Sequence, residues 1–183
     1  PRYIKKNKIT GPTLFYLYHG TGTRSYGFDP YLDEFDYILV PGGYHKERLI
    51  KEKVCDKNKI IMIGQPKFDW FKKHHISDER LFNNSNPIFY YNPHWEMDLS
   101  SYLTWRNVVL DFFKKHSDYN LIFAPHPLVK HLSKKNKYSL ENQKNLPDNI
   151  IIDLNSSKLI DGTYNQISDV YIGDVSSMVT EWI

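Results

Sequence analysis

The sequence predicts an α/β protein built on parallel sheets in two units, and three features carry that reading. Short continuous apolar runs of strand length recur along the chain, each cut off by glycine, proline, histidine or aspartate. Stretches of helical spacing lie between them, so strand, turn and helix alternate as in βαβ units. The rhythm stops in a polar segment, residues 74–87, whose least structured part is expected at Asn83-Asn-Ser-Asn86, and then restarts. This puts one unit in residues 1–80 and a second in residues 81–183.

In the first unit, Leu14-Phe-Tyr-Leu-Tyr18 reads as a buried strand that breaks at His19-Gly20, and Thr21-Gly-Thr-Arg-Ser-Tyr-Gly27 follows as a loop. Asp36-Tyr-Ile-Leu-Val-Pro41 is a second buried strand, and residues 44–53 have helical spacing with Leu49 and Ile50 inward. Lys59-Ile-Ile-Met-Ile-Gly64 is the third strand, and Pro66 suits the start of a helix over residues 67–73.

The second unit begins with the strand Pro87-Ile-Phe-Tyr-Tyr91, which ends at Asn92-Pro93. Residues 100–115 form an amphipathic helix, with Ser100 or Ser101 as its cap and Leu103, Val108, Leu110, Phe112 and Phe113 on its apolar face. Asn120-Leu-Ile-Phe-Ala124 is a strand ending at Pro125-His126-Pro127. A short helix is expected over residues 128–133, and the lysine-rich residues 134–149 read as loop or short helix. Ile150-Ile-Ile-Asp-Leu154 is a strand, residues 156–165 a helix, and Asp169-Val-Tyr-Ile-Gly173 the last strand, after which Asp174-Val-Ser-Ser177 opens a final helix.

Composition narrows the function classes. The single Cys55 rules out a disulfide framework or a cysteine-rich zinc module, and it points to a reducing, cytoplasmic compartment. A net charge of +3 with signs interspersed is a weak electrostatic footprint, and no nucleic-acid-binding motif accompanies it, so no nucleic acid partner is expected. Lys5, Lys6 and Lys8, Lys72 and Lys73, and Lys134, Lys135 and Lys137 could lean on anionic lipid at the inner face of a membrane; a solvated face is the ordinary alternative. The chain starts at Pro1 without methionine and stops at Ile183 inside an apolar-periodic stretch, so it reads as a piece of a longer protein.

His19, Pro41, Gly64, Pro93, His126 and Asp174 each follow an apolar strand, and ligands of open parallel sheets sit at such carboxyl ends; these positions are expected to converge on one cleft. Asp174 leads into Ser176 and Ser177 at the first turn of a helix, where backbone N–H groups attract a phosphate; a plain N-cap is the alternative. Glu181, one turn on, could reach ribose hydroxyls. In Pro125-His126-Pro127 the prolines stiffen the backbone around an imidazole suited to phosphate donation or proton transfer. Gly20 lets the backbone beside His19 approach a substrate closely. Tyr90, Tyr91 and Trp95 either stack on a base or sugar or pack in the core. Metal-ligand spacing is absent, and with it any expected metal; so are phosphate-loop, dinucleotide and nucleophile-elbow motifs, and no cofactor is expected.

Taken in order, His19-Gly20, Gly64-Gln-Pro-Lys-Phe-Asp69, Tyr91-Asn-Pro-His-Trp95, His126-Pro127 and Asp174-Val-Ser-Ser177 with Glu181 resemble the CDP-glycerol glycerophosphotransferase family of teichoic-acid synthesis. The resemblance implies a GT-B-like fold of two Rossmann-like units. It implies transfer of a glycerol-phosphate or other polyol-phosphate unit from a CDP-activated donor to a hydroxyl of a lipid-linked or cell-surface polymer. His19 then becomes the candidate base and His126 the stabiliser of the donor pyrophosphate. Asp174, Ser176, Ser177, Glu181 and Pro127 fall on the donor phosphate and nucleotide, and Gly20, Arg24, Lys67, Asp69 and Tyr91 are candidate substrate contacts. The chain departs from the family pattern at His94-Trp95-Glu96, where a Thr-Trp-Arg-like ending is usual, and at Thr21-Gly22, where a proline turn is typical. The alternatives are a GT-B glycosyltransferase or 2-epimerase-like enzyme acting on a UDP-sugar, and a non-catalytic protein that keeps the fold.

Overall fold

The computed structural model describes residues 11–22, 25–74, 80–129 and 145–182. Arg24, the three lysines near the start, Lys134, Lys135, Lys137, and residues 130–144, which hold most of the helix expected over 128–133 and of the loop expected over 134–149, lie outside the described residues. The chain divides into two compact units, Pro1–Trp70 and Phe71–Ile183.

In the first unit, β1 (Phe15–Leu17), β2 (Tyr37–Val40) and β3 (Ile60–Met62) pair in parallel in the order β1-β2-β3. Ile38 and Val40 of the central strand are fully enclosed, whereas Phe15 and Leu17 on the edge strand are exposed, so β1 is not the buried strand its composition suggests. The crossover helix α1 (Gly43–Lys51) packs His45 and Leu49 inward, one turn apart. Ile50, expected inward, is exposed, because it sits about 100° around the helix from Leu49. The helix α2 (Pro66–Lys73) opens on Pro66, as its missing N–H allows.

The second unit is a four-stranded parallel sheet of β4 (Ile88–Asn92), β5 (Asn120–Phe123), β6 (Ile150–Ile152) and β7 (Val170–Gly173), in the order β6-β5-β4-β7. Apolar side chains cover both faces: Tyr91, Leu121 and Phe123 meet Tyr102, Leu110 and Phe113 on one side, and Tyr90 and Ile122 meet Phe82, Leu159 and Tyr164 on the other. This two-sided burial is why β5 is an uninterrupted apolar run after Asn120, with all four residues buried. The helix α3 (Tyr102–Lys115) turns Tyr102, Arg106, Leu110 and Phe113 inward. Leu103, Val108 and Phe112, expected on its core face, are exposed: the apolar stripe is wider than the contact, and the sheet selects only its centre.

Two further expectations change. The segment around Asn83-Asn-Ser-Asn86 is pinned, because the fully buried Asn120 amide donates to Asn84 Oδ1 at 2.7 Å and to the Asn86 carbonyl at 3.0 Å. The single helix expected over residues 156–165 is a 3-10 turn, Ser157–Leu159, followed by α4 (Thr163–Ile167). The break is Gly162, at φ +85° with the Phe71 ring where a side chain would stand. The last helix, α5 (Met178–Glu181), is one turn long. Among the described residues no helix is long and apolar enough to cross a membrane.

Candidate functional site

The strand order of the second unit reverses at β4, which has β5 on one side and β7 on the other; in open α/β sheets the ligand crevice forms at such a reversal. Asp174, immediately after β7, braces this edge. Its Oδ2 accepts the His94 N–H at 2.7 Å and the Ser101 N–H at 2.9 Å, drawing together both ends of the loop between β4 and α3. Ser100 donates its hydroxyl to the His94 carbonyl and accepts the Tyr102 N–H at 3.2 Å, while the cap residue of α3 is Ser101, which makes no side-chain capping bond. The sequence singles out Asp174 correctly as a strand-end residue, and its observed bonds are to this loop.

His126 stands on the neighbouring strand end, its N–H on the Pro93 carbonyl at 3.1 Å. Its Nδ1 accepts the Leu128 N–H at 3.2 Å, and Nδ1 of His94 accepts the Glu96 N–H at 3.0 Å. A neutral imidazole that accepts at Nδ1 carries its proton at Nε2, so both rings are set as Nε2–H donors. Burial first, and the nearby His94 second, push the His126 imidazole down to about 4, so it is neutral at physiological pH. The two rings are 5.9 Å apart, and Trp95, 38% exposed, lies 6.3 Å from His126. Pro127 is half-buried beside it.

Ser176 and Ser177 precede α5 and are both half-buried. Ser176 Oγ accepts the Met178 N–H at 3.2 Å, and the Ser177 carbonyl accepts the Thr180 hydroxyl at 2.7 Å. Glu181, expected to reach outward to a ribose, is only 3% exposed; the short helix turns it into the unit. Tyr91 is 1% exposed, its ring 4.7 Å from Phe123 and its hydroxyl on Ser101 at 2.8 Å, so it packs in the core as Tyr90 does, and Trp95 is the one ring of the three left partly open.

In the first unit His19 is exposed at the end of β1, and Gly20 beside it is buried. His45 Nε2 lies 3.2 Å from the Gly22 carbonyl, and the Tyr18 hydroxyl donates to the Gly27 carbonyl, so the two clamp the loop that follows His19. Burial pushes the His45 imidazole down, which keeps it a neutral donor to Gly22. Lys67 is half-buried and Asp69 exposed, both on α2. Sequence reasoning missed His94, Asn92 and His45 as organisers. The first two sit inside the quoted Tyr91-Asn-Pro-His-Trp95 segment, whereas nothing local marks His45.

Parallel strands with histidine, carboxylate and paired serines at their carboxyl ends place the chain among α/β proteins built on open parallel sheets. A family model described as CDP-glycerol:poly(glycerophosphate) glycerophosphotransferase matches residues 17–183, and the chain belongs to that family. Its fold is similar to that of the wall teichoic acid polymerase TagF, at 19% identity and a TM-score of 0.57, over 91% of this chain and 42% of that one. It is also similar to a UDP-N-acetylglucosamine 2-epimerase from Rickettsia bellii, at 20% identity and a TM-score of 0.60, over 97% of this chain and 48% of that one. A third similar structure is S. aureus MnaA with UDP, at 13% identity and a TM-score of 0.59, over 97% of this chain and 56% of that one. The chain thus spans less than two thirds of each structure it resembles, and at these identities the likeness is one of fold. No curated protein matches it.

Proposed function

We propose that the protein transfers a glycerol-phosphate, or a related polyol-phosphate, from a CDP-activated donor to a hydroxyl of a lipid-linked or cell-surface polymer. The observation that carries this reading is the family match over residues 17–183. TagF, which shares the fold, has been solved after soaking with CDPG. In the proposed step His19 takes the proton of the acceptor hydroxyl, whose oxygen attacks the phosphorus bearing the polyol. The bridging P–O bond breaks, and CMP leaves with the electron pair. His126 offers Nε2–H to the charge growing on the donor phosphates, and Ser176 and Ser177 supply hydroxyl donors. A neutral imidazole suits this task, since burying its N–H costs far less hydration than burying an imidazolium would. The reading places the work on the cytoplasmic face of the membrane, where an anionic surface would present the acceptor.

The experiment is calorimetric titration of the full-length protein with CDP, CMP and UDP, repeated on Ser177→Ala and His126→Ala. CDP binding weakened by both substitutions supports the reading. A preference for UDP points to the sugar-nucleotide enzymes that share the fold, and no nucleotide binding points to a non-catalytic relative.

A further inference from the structure

We propose that His45 is a positioning residue for His19: reaching from α1 to the loop after β1, it fixes the backbone that presents the base. The inference rests on the reading above, in which His19 takes the acceptor proton. His19 is exposed, so little packing fixes its ring, and its place is set by the chain that carries it. Behind His19 that chain is anchored by the pairing of Leu17 with Leu39. Ahead of it β1 has ended, and a side chain from the crossover helix takes over the hold.

His45, 5% exposed, meets the loop at three points. Its ring packs edge-on at 5.1 Å against Tyr18, the residue just before His19. Its Nε2 lies 3.2 Å from the carbonyl of Gly22, just past His19. It stacks at 5.7 Å on Phe28, which closes the 3-10 turn Ser25–Phe28 at the far end of the loop. Phe28 is itself buried, with the Arg48 guanidinium 3.9 Å from its ring centre. The Tyr18 hydroxyl donates to the Gly27 carbonyl, so the loop is also tied back to its own strand. Leu49, fully enclosed one turn beyond His45, keeps the helix seated under these contacts.

An imidazole combines two properties this position uses. The Gly22 carbonyl can only accept, so Nε2 carries the proton, and the flat ring lies among the aromatic rings of Tyr18, Phe28 and Tyr44. Phenylalanine would keep the stacking and leave the carbonyl without its donor. Glutamine would carry an N–H to about the same place without the ring. The geometry matters for rate, because a misplacement of about 1 Å costs a reacting group up to about a hundredfold.

The test is CMP release from CDP-glycerol by the full-length protein, with a lipid-linked glycerol-phosphate as acceptor and CDP titration alongside. The variants are His45→Phe, His45→Gln, His19→Ala and the double variant His19→Ala with His45→Phe. His45→Phe is expected to lower kcat about tenfold while KM for CDP-glycerol and the CDP affinity change less than about twofold, because in this reading the donor is bound by the second unit. His45→Gln should restore kcat to within about threefold of wild type, a rescue that a loss of packing would not give. The double variant should be no slower than His19→Ala, as expected of a residue that acts through another. His45→Asn, whose amide is one bond too short to reach Gly22, should repeat the loss and serves if His45→Phe fails to fold. Wild-type turnover in His45→Phe, a loss of CDP affinity as large as the loss in kcat, no rescue by His45→Gln, or losses that multiply in the double variant overturns the role of His45 and leaves His19 as the base. Wild-type turnover in His19→Ala removes that base and overturns both readings.

Discussion

Replacing Asp174 tests whether one carboxylate organises the edge of the second unit. Its Oδ2 takes two backbone N–H groups, His94 at 2.7 Å and Ser101 at 2.9 Å, and both donors are partly buried. A hydrogen bond to a charged group contributes roughly 1.5–3 kcal/mol, and a half-buried carboxylate belongs at the low end, so Asp174→Ala should weaken the loop locally by about 3 kcal/mol. Asp174→Asn keeps an oxygen in place and loses only the charge, about 1 kcal/mol. Amide hydrogen exchange reads this directly, since about 3 kcal/mol is roughly a hundredfold in the opening equilibrium. The His94 and Ser101 amides should lose about a hundredfold protection in the alanine variant and about fivefold in the asparagine variant, while Leu121 in the core stays protected. Equal losses in the two variants, or unchanged exchange in Asp174→Ala, would refute the reasoning.

The His126 imidazole, titrated by NMR, should have its midpoint near about 4 rather than 6.5. Because the unfolded state binds the proton at higher pH, stability should rise with pH between about 4 and 6.5 and level off above; the linkage limit of about 3 kcal/mol falls to about 1–2 for a partly exposed ring. A midpoint near 6.5 with no such slope would remove the buried-imidazole argument. Gly162→Ala, at φ +85° against the Phe71 ring, should cost about 1–3 kcal/mol in urea unfolding, and a neutral result would mean the turn relaxes freely. Asn149 Nδ2 reaches the Phe113 carbonyl at 2.9 Å and the Tyr119 carbonyl at 2.8 Å, closing the end of α3. Asn149→Ala should therefore cost about 2 kcal/mol by the same assay, and a cost under about 0.5 kcal/mol would count against that closure.

The strands and their punctuation were legible in the sequence because both are local: an apolar run long enough to cross a sheet, then a residue that ends it. The strand-end rule was enough to put His126, Asp174, Ser176 and Ser177 on the carboxyl side of one sheet, since parallel strands put all their carboxyl ends on the same side. Periodicity could also give the helices their positions, but it could not say how much of an apolar stripe the core would accept. Ile50, Leu103, Val108 and Phe112 satisfy the helical pattern and still face outward, because the width of the contact is set by the sheet beneath.

What only the tertiary structure decided was long-range. That β7 returns to lie beside β4 is a matter of strand order, which no local pattern encodes, and it alone lets Asp174 reach His94 across 80 residues of sequence. The same pairing lays Tyr171 beside Tyr90 and Gly173 beside Asn92, whose amide donates to the Ala124 carbonyl. Burial of Asn120 likewise pins an asparagine-rich segment that reads as loose when taken alone. A sequence states which groups a strand end offers, and cross-strand register decides which of them meet, because hydrogen bonds and pKa shifts depend on distances in space that the chain's own order does not contain.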